Sequence, residues 1–232
     1  MKLEDWQYWK PLFKAASEDE LDDLHARYLS FLGYEVGTLK LIKDDQIQIP
    51  KIGFFKDEVI KKIIFARCGV ESVLVIGYWD ARFIFNIGLS SDLSVHGLDC
   101  YTPSVENARK SLLNLPREVA ERFKFFHGLA GDLSDLPDYD IVVNICLEHI
   151  HEPRQTLLEN LSHIKDGGAL ILAVPIGNGC DSPNHLWHWQ EQDLRELIPF
   201  YKAKFIRTKF TQKSNRNNYF VIVVNINKDN LK

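Results

Sequence analysis

The fold of this chain is decided by one stretch, Val73-Leu74-Val75-Ile76-Gly77-Tyr78-Trp79-Asp80-Ala81-Arg82-Phe83. An apolar, β-forming run ends at Gly77, and a segment with helical character follows at once. A second apolar run further along the chain ends at Asp99. Strand, tight loop, helix and strand in this order are typical of a nucleotide-binding unit, in which the acid after the second strand accepts hydrogen bonds from ribose hydroxyls.

The loop after Gly77 departs from the usual glycine-rich pattern. Its second and third glycine positions hold Trp79 and Ala81. Alanine is a mild change there, but a bulky residue costs about 1–2 kcal/mol if the loop requires a positive φ. Two interpretations follow: the indole stacks beside a working pocket, or it fills the pocket and leaves a fold without catalysis.

Composition and charge limit the classes of protein to which the chain can belong. Its 232 residues fit one α/β domain with an extension, and an apolar fraction of 45% suffices for a sizeable core. The net charge of -4 gives no basic footprint for nucleic acid. No apolar run is long enough to span a membrane, and the N-terminus lacks the pattern of a signal peptide. We therefore expect no membrane association and find no indication of a nucleic-acid partner.

The cysteines are widely spaced and form no Cys-x-x-Cys pair. Zinc sites and dithiol-redox sites usually contain such pairs. Most of these cysteines lie in or beside apolar, strand-like runs, where a cysteine acts as a small core residue. We therefore expect a reduced, cytoplasmic protein whose 4 cysteines are Cys68, Cys100, Cys146 and Cys180.

Residues 1–53 differ in character from the rest of the chain. Trp6, Trp9 and Phe13 recur at helical spacing, and Ser17 with Glu20 forms a capping-box pattern before a further apolar stripe. We predict an N-terminal helical extension over 1–53. It either packs on the core or acts as a lid, and the sequence leaves both possibilities open.

Residues 54–232 alternate between apolar runs and helical segments. Runs that are apolar on both faces and separated by helices indicate a parallel sheet covered on both sides. The last two runs are joined by a polar loop over 211–218, so we predict that they pair antiparallel. The predicted fold is α/β: a Rossmann-like, seven-stranded, mostly parallel sheet with an antiparallel edge strand and helices on both faces.

Several segments, in this order and spacing, carry a family resemblance: 73–77, 97–99 with 104–109, 131–137, 139–143 with 147–150, and 164–170. Over about residues 54–226 the chain resembles the class I S-adenosylmethionine-dependent methyltransferases, most closely the small-molecule and sugar-modifying group, with a degenerate glycine-rich first motif. The resemblance implies S-adenosyl-L-methionine as cofactor. It also implies transfer of a methyl group to an oxygen or nitrogen of a small-molecule or sugar-like acceptor.

The resemblance implies a set of cofactor-binding residues at the carboxyl ends of the strands. The acid would accept from both ribose hydroxyls, a loop acid would accept from the adenine amino group, and a backbone amide would meet the ring. Position 75, where the family usually carries an acid that helps to hold the cofactor's amino group, is a valine. The implied residues are Gly77, Tyr78, Trp79, Asp99, Cys100, Asp132, Leu133 and Asn144.

Each of these assignments has a plainer alternative. A strand-terminal aspartate such as Asp99 is often only a helix cap or turn residue. A lone glycine such as Gly77 suits any tight turn. For Asp132, the residues Gly128 and Leu129 offer a competing register for the adenine-side loop.

Histidines supply the candidates for proton transfer. His149 follows the fourth strand and resembles the histidine that some family members use as a base, so we expect it to be catalytic. His151, His185 and His188 are alternatives, and each histidine is equally interpretable as a surface residue. Glu148 beside His149 suggests a metal site, but the sequence shows no His-x-x-x-His or matching carboxylate set, so we expect no metal.

Three functional hypotheses remain open from the sequence. The first is the methyltransferase with a small-molecule acceptor, and the second is a catalytically inactive methyltransferase-like module for binding or assembly. The third is a nicotinamide-dependent enzyme, which Asp99 suggests but which lacks a glycine cradle for a pyrophosphate. The acceptor and the oligomeric state are not indicated.

Overall fold

The computed structural model describes residues 55–175, 185–198, 203–208 and 219–227. The predicted N-terminal extension over 1–53 lies outside these residues. The strands are β1 (Ser72–Ile76), β2 (Ser94–Asp99), β3 (Phe123–His127), β4 (Tyr139–Asn144), β5 (Ile164–Pro175), β6 (Ala203–Thr208) and β7 (Tyr219–Asn225). The helices are α1 (Phe55–Phe65), α2 (Arg82–Gly88), α3 (Thr102–Leu112), α4 (Arg117–Ala120), α5 (Pro153–Ser162) and α6 (Glu191–Leu197), with a 3-10 helix at Leu147–His149.

The strands form one mixed sheet in the order β3-β2-β1-β4-β5-β7-β6. Strands β1 to β5 pair in parallel, and β7 pairs antiparallel with both of its neighbours. The predicted α/β fold with a mostly parallel sheet is therefore confirmed. The order reverses at β1, between β2 and β4, which is the switch point where open α/β sheets bind their ligands.

The prediction of an antiparallel edge strand is wrong in one respect. The edge strand is β6, whereas the antiparallel strand β7 lies between β5 and β6. The sequence correctly indicates an antiparallel pair at the C-terminal end of the chain. It does not show which member of the pair inserts next to β5, because both runs are apolar and both form strands.

The two faces of the sheet bury separate cores. One face packs on α1, α2 and α3, with Val73 and Val75 of β1 pointing into that core. The other face packs on α5 and α6, with Leu74 and Ile76 pointing into that core. This alternation explains why β1 is apolar at every position, since a strand buried on both sides has no solvent-facing residue.

The helix after β1 begins at Arg82, later than the sequence pattern suggests, since that pattern places helical character directly after Gly77. The intervening residues form the loop that carries the candidate site. Gly167 and Gly168 lie within β5, where the pairing register with β4 shifts. Among the described residues, no helix is both long enough and apolar enough to cross a membrane.

Candidate active site

The loop after β1 has the backbone of a glycine-rich loop although two of its glycines are missing. Gly77 has a φ of 77°, Trp79 a φ of 58° and Ala81 a φ of 56°. Trp79 and Ala81 are the non-glycine residues with positive φ in the described part of the chain. The left-handed conformation costs about 1–2 kcal/mol for each of them. Strain of this kind is retained mainly where a site requires it.

Gly77 is also required by its packing. A Cβ built on Gly77 would overlap Cβ of Cys146 and lie 2.5 Å from its Sγ. The loop after β1 and the turn after β4 are thus in van der Waals contact at this point. Only glycine allows both the positive φ and the close approach.

The carboxylate of Asp99, at the end of β2, fixes the conformation of the loop. Its Oδ2 accepts a hydrogen bond from the Trp79 amide at 2.8 Å, and its Oδ1 accepts one from the Tyr101 amide at 2.9 Å. The side chain is 7% exposed. Burial raises the pKa of Asp99, and the hydrogen bonds from Tyr101 and Trp79 oppose that effect. Each carboxylate oxygen has two lone pairs, so both oxygens keep the capacity to accept a further hydrogen bond.

The indole of Trp79 lies outside the core. It is 54% exposed and stacks on the ring of Tyr101, with centroids 5.4 Å apart and an interplanar angle of 10°. Of the two interpretations offered by the sequence, the ring position corresponds to stacking beside the loop. The Trp79–Tyr101 stack adjoins the end of β2, because Tyr101 follows Asp99 by two positions.

Tyr78, which the sequence predicts to bind the cofactor, directs its side chain into the core. It is buried and packs against Phe125, with ring centroids 5.5 Å apart. A Cβ on Gly97 would lie 2.6 Å from its ring, so this glycine of β2 makes room for the tyrosine. Burial raises the pKa of Tyr78. Only the backbone of Tyr78 remains near the loop surface.

The side chain of Asn144 likewise makes its hydrogen bonds within the core. It is fully buried, its Nδ2 donates to Oδ1 of Asn160 at 2.8 Å, and its Oδ1 accepts from the Cys146 amide at 3.1 Å. The nomination of Asn144 as a cofactor ligand is therefore not supported by its side-chain geometry. Its position at a strand end reflects a structural bridge between β4 and α5.

The two residues after β3 that are predicted to bind the cofactor, Asp132 and Leu133, differ in their exposure to solvent and in their hydrogen-bond partners. Asp132 is exposed and accepts from Oγ of Ser134 at 3.0 Å. The Leu133 amide donates to Oε1 of Glu159 at 3.3 Å, and the Leu133 side chain is fully buried. The amide expected to meet an adenine ring thus already has a carboxylate partner.

Cys100 lies next to the anchoring carboxylate. Burial, together with the nearby Asp99 charge, raises the pKa of its thiol to about 12. The thiol is therefore protonated at neutral pH and is a poor nucleophile.

The alternative adenine-side register at Gly128 and Leu129, after β3, also lies close to Asp99. The Gly128 amide donates to the Asp99 carbonyl at 3.1 Å.

The turn after β4 assembles a histidine cluster that the sequence did not reveal. Nε2 of His149 lies 3.9 Å from Oε1 of the buried Glu148. The rings of His149 and His185 meet edge to face, with centroids 4.8 Å apart. One ligand atom from each of the three side chains lies within 4.8 Å of the others. We refer to Glu148, His149 and His185 as the Glu–His–His cluster.

Hydrogen bonds hold the segment of His185 on the 3-10 helix. The amides of Leu186 and Trp187 both donate to the Glu148 carbonyl, at 2.9 and 3.2 Å. Nε1 of Trp187 donates to the Ile150 carbonyl at 2.6 Å. His188, in the same segment, is exposed. Sequence reasoning missed the cluster because 35 residues separate His149 from His185, although His185 was named among the alternative histidines.

No family model and no curated protein matches this chain. Solved structures do match. The glycopeptide N-methyltransferase MtfA complexed with S-adenosyl-L-homocysteine aligns with 16% identity over 74% of this chain and 89% of its own, with a TM-score of 0.58. The N-methyltransferase NodS from Bradyrhizobium japonicum WM9 aligns with 10% identity over 74% of this chain and 94% of its own, with a TM-score of 0.60.

A third structure with the same fold has a different named activity. The [4+2]-cyclase SpnF aligns with 14% identity over 74% of this chain and 80% of its own, with a TM-score of 0.61. Together these likenesses show that the chain has the class I methyltransferase fold, as the sequence motifs indicated. At such identities they show the fold alone, and the function has to be argued from the site.

Proposed function

We propose that this protein is an S-adenosylmethionine-dependent methyltransferase that transfers a methyl group to an oxygen or nitrogen of a small-molecule or sugar-like acceptor. One observation carries the proposal. The Gly77 loop has three positive φ values, and the Trp79 amide within it donates a hydrogen bond to the Asp99 carboxylate. If no ligand required this conformation, the residues at the glycine positions would favour negative φ values, and the loop would relax. The chain instead retains a strained loop at the switch point of the sheet.

The chemistry of the loop and of Asp99 suits this cofactor. Asp99 accepts from the ribose hydroxyls through its remaining lone pairs, and charge-assisted hydrogen bonds of this type are among the stronger ones. Gly77 lets the backbone approach the methionine portion. Val75 is fully buried, so the cofactor's amino group requires a partner other than the acid usual at that position.

In the proposed reaction, the bound cofactor supplies a methyl group on a sulfonium. The protein orients the acceptor in line with that methyl group and, where needed, removes its proton. We assign the proton removal to His149, whose Nε2 lies 3.9 Å from the buried Glu148, in the metal-free protein. Asp132 remains the proposed partner of the adenine amino group, with Gly128 and Leu129 as the competing register.

The alternative function is a catalytically inactive binding or assembly module with this fold. Two departures favour it: Trp79 replaces a loop glycine, and Val75 replaces the acid that usually helps to hold the cofactor's amino group. A nicotinamide-dependent function has less support, because Trp79 and Ala81 occupy the positions at which glycines would let the backbone approach a pyrophosphate.

Isothermal titration with S-adenosylmethionine and S-adenosylhomocysteine separates these functions. We expect wild-type protein to bind both ligands, and Asp99→Ala to lose the binding. If only Trp79→Gly binds, the inactive module is the correct function, with Trp79 as the obstruction. If neither the wild type nor Trp79→Gly binds at millimolar ligand, the proposed function is wrong.

A further inference from the structure

We propose that Glu148, His149 and His185 form a binding site for a divalent first-row transition-metal ion. The sequence predicts no metal, because its histidines lack the spacing of a local motif. Folding creates the missing ligand by placing His185 against His149. Two imidazoles and one carboxylate are a common ligand set for zinc and for non-haem iron, with positions left open for other ligands.

The distances in the Glu–His–His cluster are close to those of a bound site. Ligands at about 2 Å from a tetrahedral ion lie roughly 3.3 Å apart. The carboxylate oxygen of Glu148 and Nε2 of His149 are 3.9 Å apart, and all three ligand atoms fall within 4.8 Å. Small side-chain rotations therefore bring the three atoms into a coordination sphere.

The cluster is supported by backbone hydrogen bonds rather than by loose side chains. The Glu148 carbonyl accepts from two amides of the segment that carries His185, and the indole of Trp187 closes the same junction. Such support reduces the entropy lost when the ligands are ordered around an ion. The buried Glu148 supplies the negative charge, and the more exposed His149 leaves the site open to solvent.

The metal site lies next to the loop proposed to bind the cofactor. The 3-10 helix that carries Glu148 and His149 follows Cys146, which contacts Gly77. If the protein transfers methyl groups as proposed, the open positions suit an acceptor with hydroxyl oxygens; this acceptor role rests on the proposed function. A metal-bound hydroxyl releases its proton to solvent more readily. His149 then acts as a ligand, and the same ring nitrogen no longer serves as a base.

Titration of the full chain with Zn²⁺, in protein without a histidine tag and without cofactor, tests the site. We expect one equivalent to bind with micromolar affinity or better. Removal of an outer-shell partner costs about 10–100-fold in metal affinity, so we expect His185→Ala, which removes a ligand itself, to cost at least about 100-fold. The exposed His188→Ala in the same segment is the matched control and should leave the affinity unchanged.

Titration with Co²⁺ gives a second readout, since histidine coordination produces visible absorption bands that His185→Ala and His149→Ala should each remove. Circular dichroism confirms that each variant is folded, and His149→Ala serves if His185→Ala is not. The proposal is overturned if wild-type protein shows no saturable binding up to millimolar Zn²⁺, or if the ligand variants bind as tightly as wild type. Because no cofactor is present, failure here is distinct from failure of the methyltransferase proposal.

Discussion

The loop after β1 and the turn after β4 meet at the carboxyl edge of the sheet, yet they are built in opposite ways. The first is a backbone site: its positive φ values and amides survive although Trp79 and Ala81 replace glycines. The second is a side-chain site: its parts come from segments far apart in the chain. A backbone site can therefore persist through substitutions that alter its motif, whereas a side-chain site exists only once the chain has folded.

The largest expected effect concerns the contact between the two regions. We expect Gly77→Ala to lower the free energy of unfolding by about 2–5 kcal/mol, as the sum of backbone strain and overlap with Cys146. Gly69→Ala is the matched control, because Gly69 has a φ of 74° and nothing within 4 Å of a built Cβ. Urea denaturation measures both. Equal losses would show that the two regions do not press against each other.

His96, a buried residue of β2, should make the stability of the sheet beneath both regions depend on pH. Burial, with a smaller effect from Lys124, lowers the pKa of His96 from 6.5 to about 4. A histidine whose pKa is lower in the folded state stabilises the protein above its unfolded pKa, and that stability is lost as the pH falls. We expect a loss of about 3 kcal/mol between pH 6.5 and pH 4.

Denaturation at several pH values checks this prediction. His96→Gln, which keeps polar atoms near the hydroxyl of Tyr139, should flatten the slope in that interval, whereas the exposed His188→Gln should not. An unchanged slope in His96→Gln would assign the acid sensitivity to other groups.

Asp99 tests whether the backbone site needs the carboxylate that holds its loop. We expect Asp99→Ala to weaken S-adenosylhomocysteine binding at least about 100-fold, because two charge-assisted hydrogen bonds are lost. Asp92→Ala, two residues before the start of the same strand, serves as control because its side chain is exposed. Calorimetry gives both affinities. If wild type, Asp99→Ala and Asp92→Ala bind S-adenosylhomocysteine with similar affinity, Asp99 does not bind the ribose.

Two neighbouring tryptophans test the junction that supports the Glu–His–His cluster. Trp187→Phe loses the hydrogen bond to the Ile150 carbonyl, and we expect it to cost about 1 kcal/mol. Nε1 of Trp189 is buried and has no hydrogen-bond partner among the described residues, so Trp189→Phe should be neutral or slightly stabilising. Thermal denaturation compares the two variants. The reverse order of stability would contradict this account of the junction.

The smallest expected effect is that of Trp79 on stability. Trp79→Gly relieves strain of about 1–2 kcal/mol, but it loses a stacking contact of about 0.5–1.5 kcal/mol and adds chain entropy to the unfolded state. We expect a net change within about 1 kcal/mol. Ala81→Gly has no stack to lose, so it should be the more stable of the two variants. If Trp79→Gly is the more stable, the Trp79–Tyr101 stack contributes nothing.

Patterns within the sequence predicted the features that depend on local physics. The doubly buried strands predicted a parallel sheet, and Gly77 with Asp99 marked the loop and its anchor. The core-facing orientation of Tyr78 and Asn144 could not be predicted, because a polar residue beside a strand end looks the same in sequence whether it points to solvent or into the core. Only the small Gly97 beneath Tyr78, and Asn160 opposite Asn144, decide those orientations.

The sequence by itself determined that this chain forms a Rossmann-like sheet with a tight loop after β1, because periodicity and strand-end residues act over short distances along the chain. Tertiary structure alone decided that the indole of Trp79 stacks outside the core and that β7 rather than β6 joins β5. It alone also brought His185 to Glu148 and His149. These outcomes depend on which distant surfaces meet, and contacts between distant surfaces leave no local pattern in the sequence.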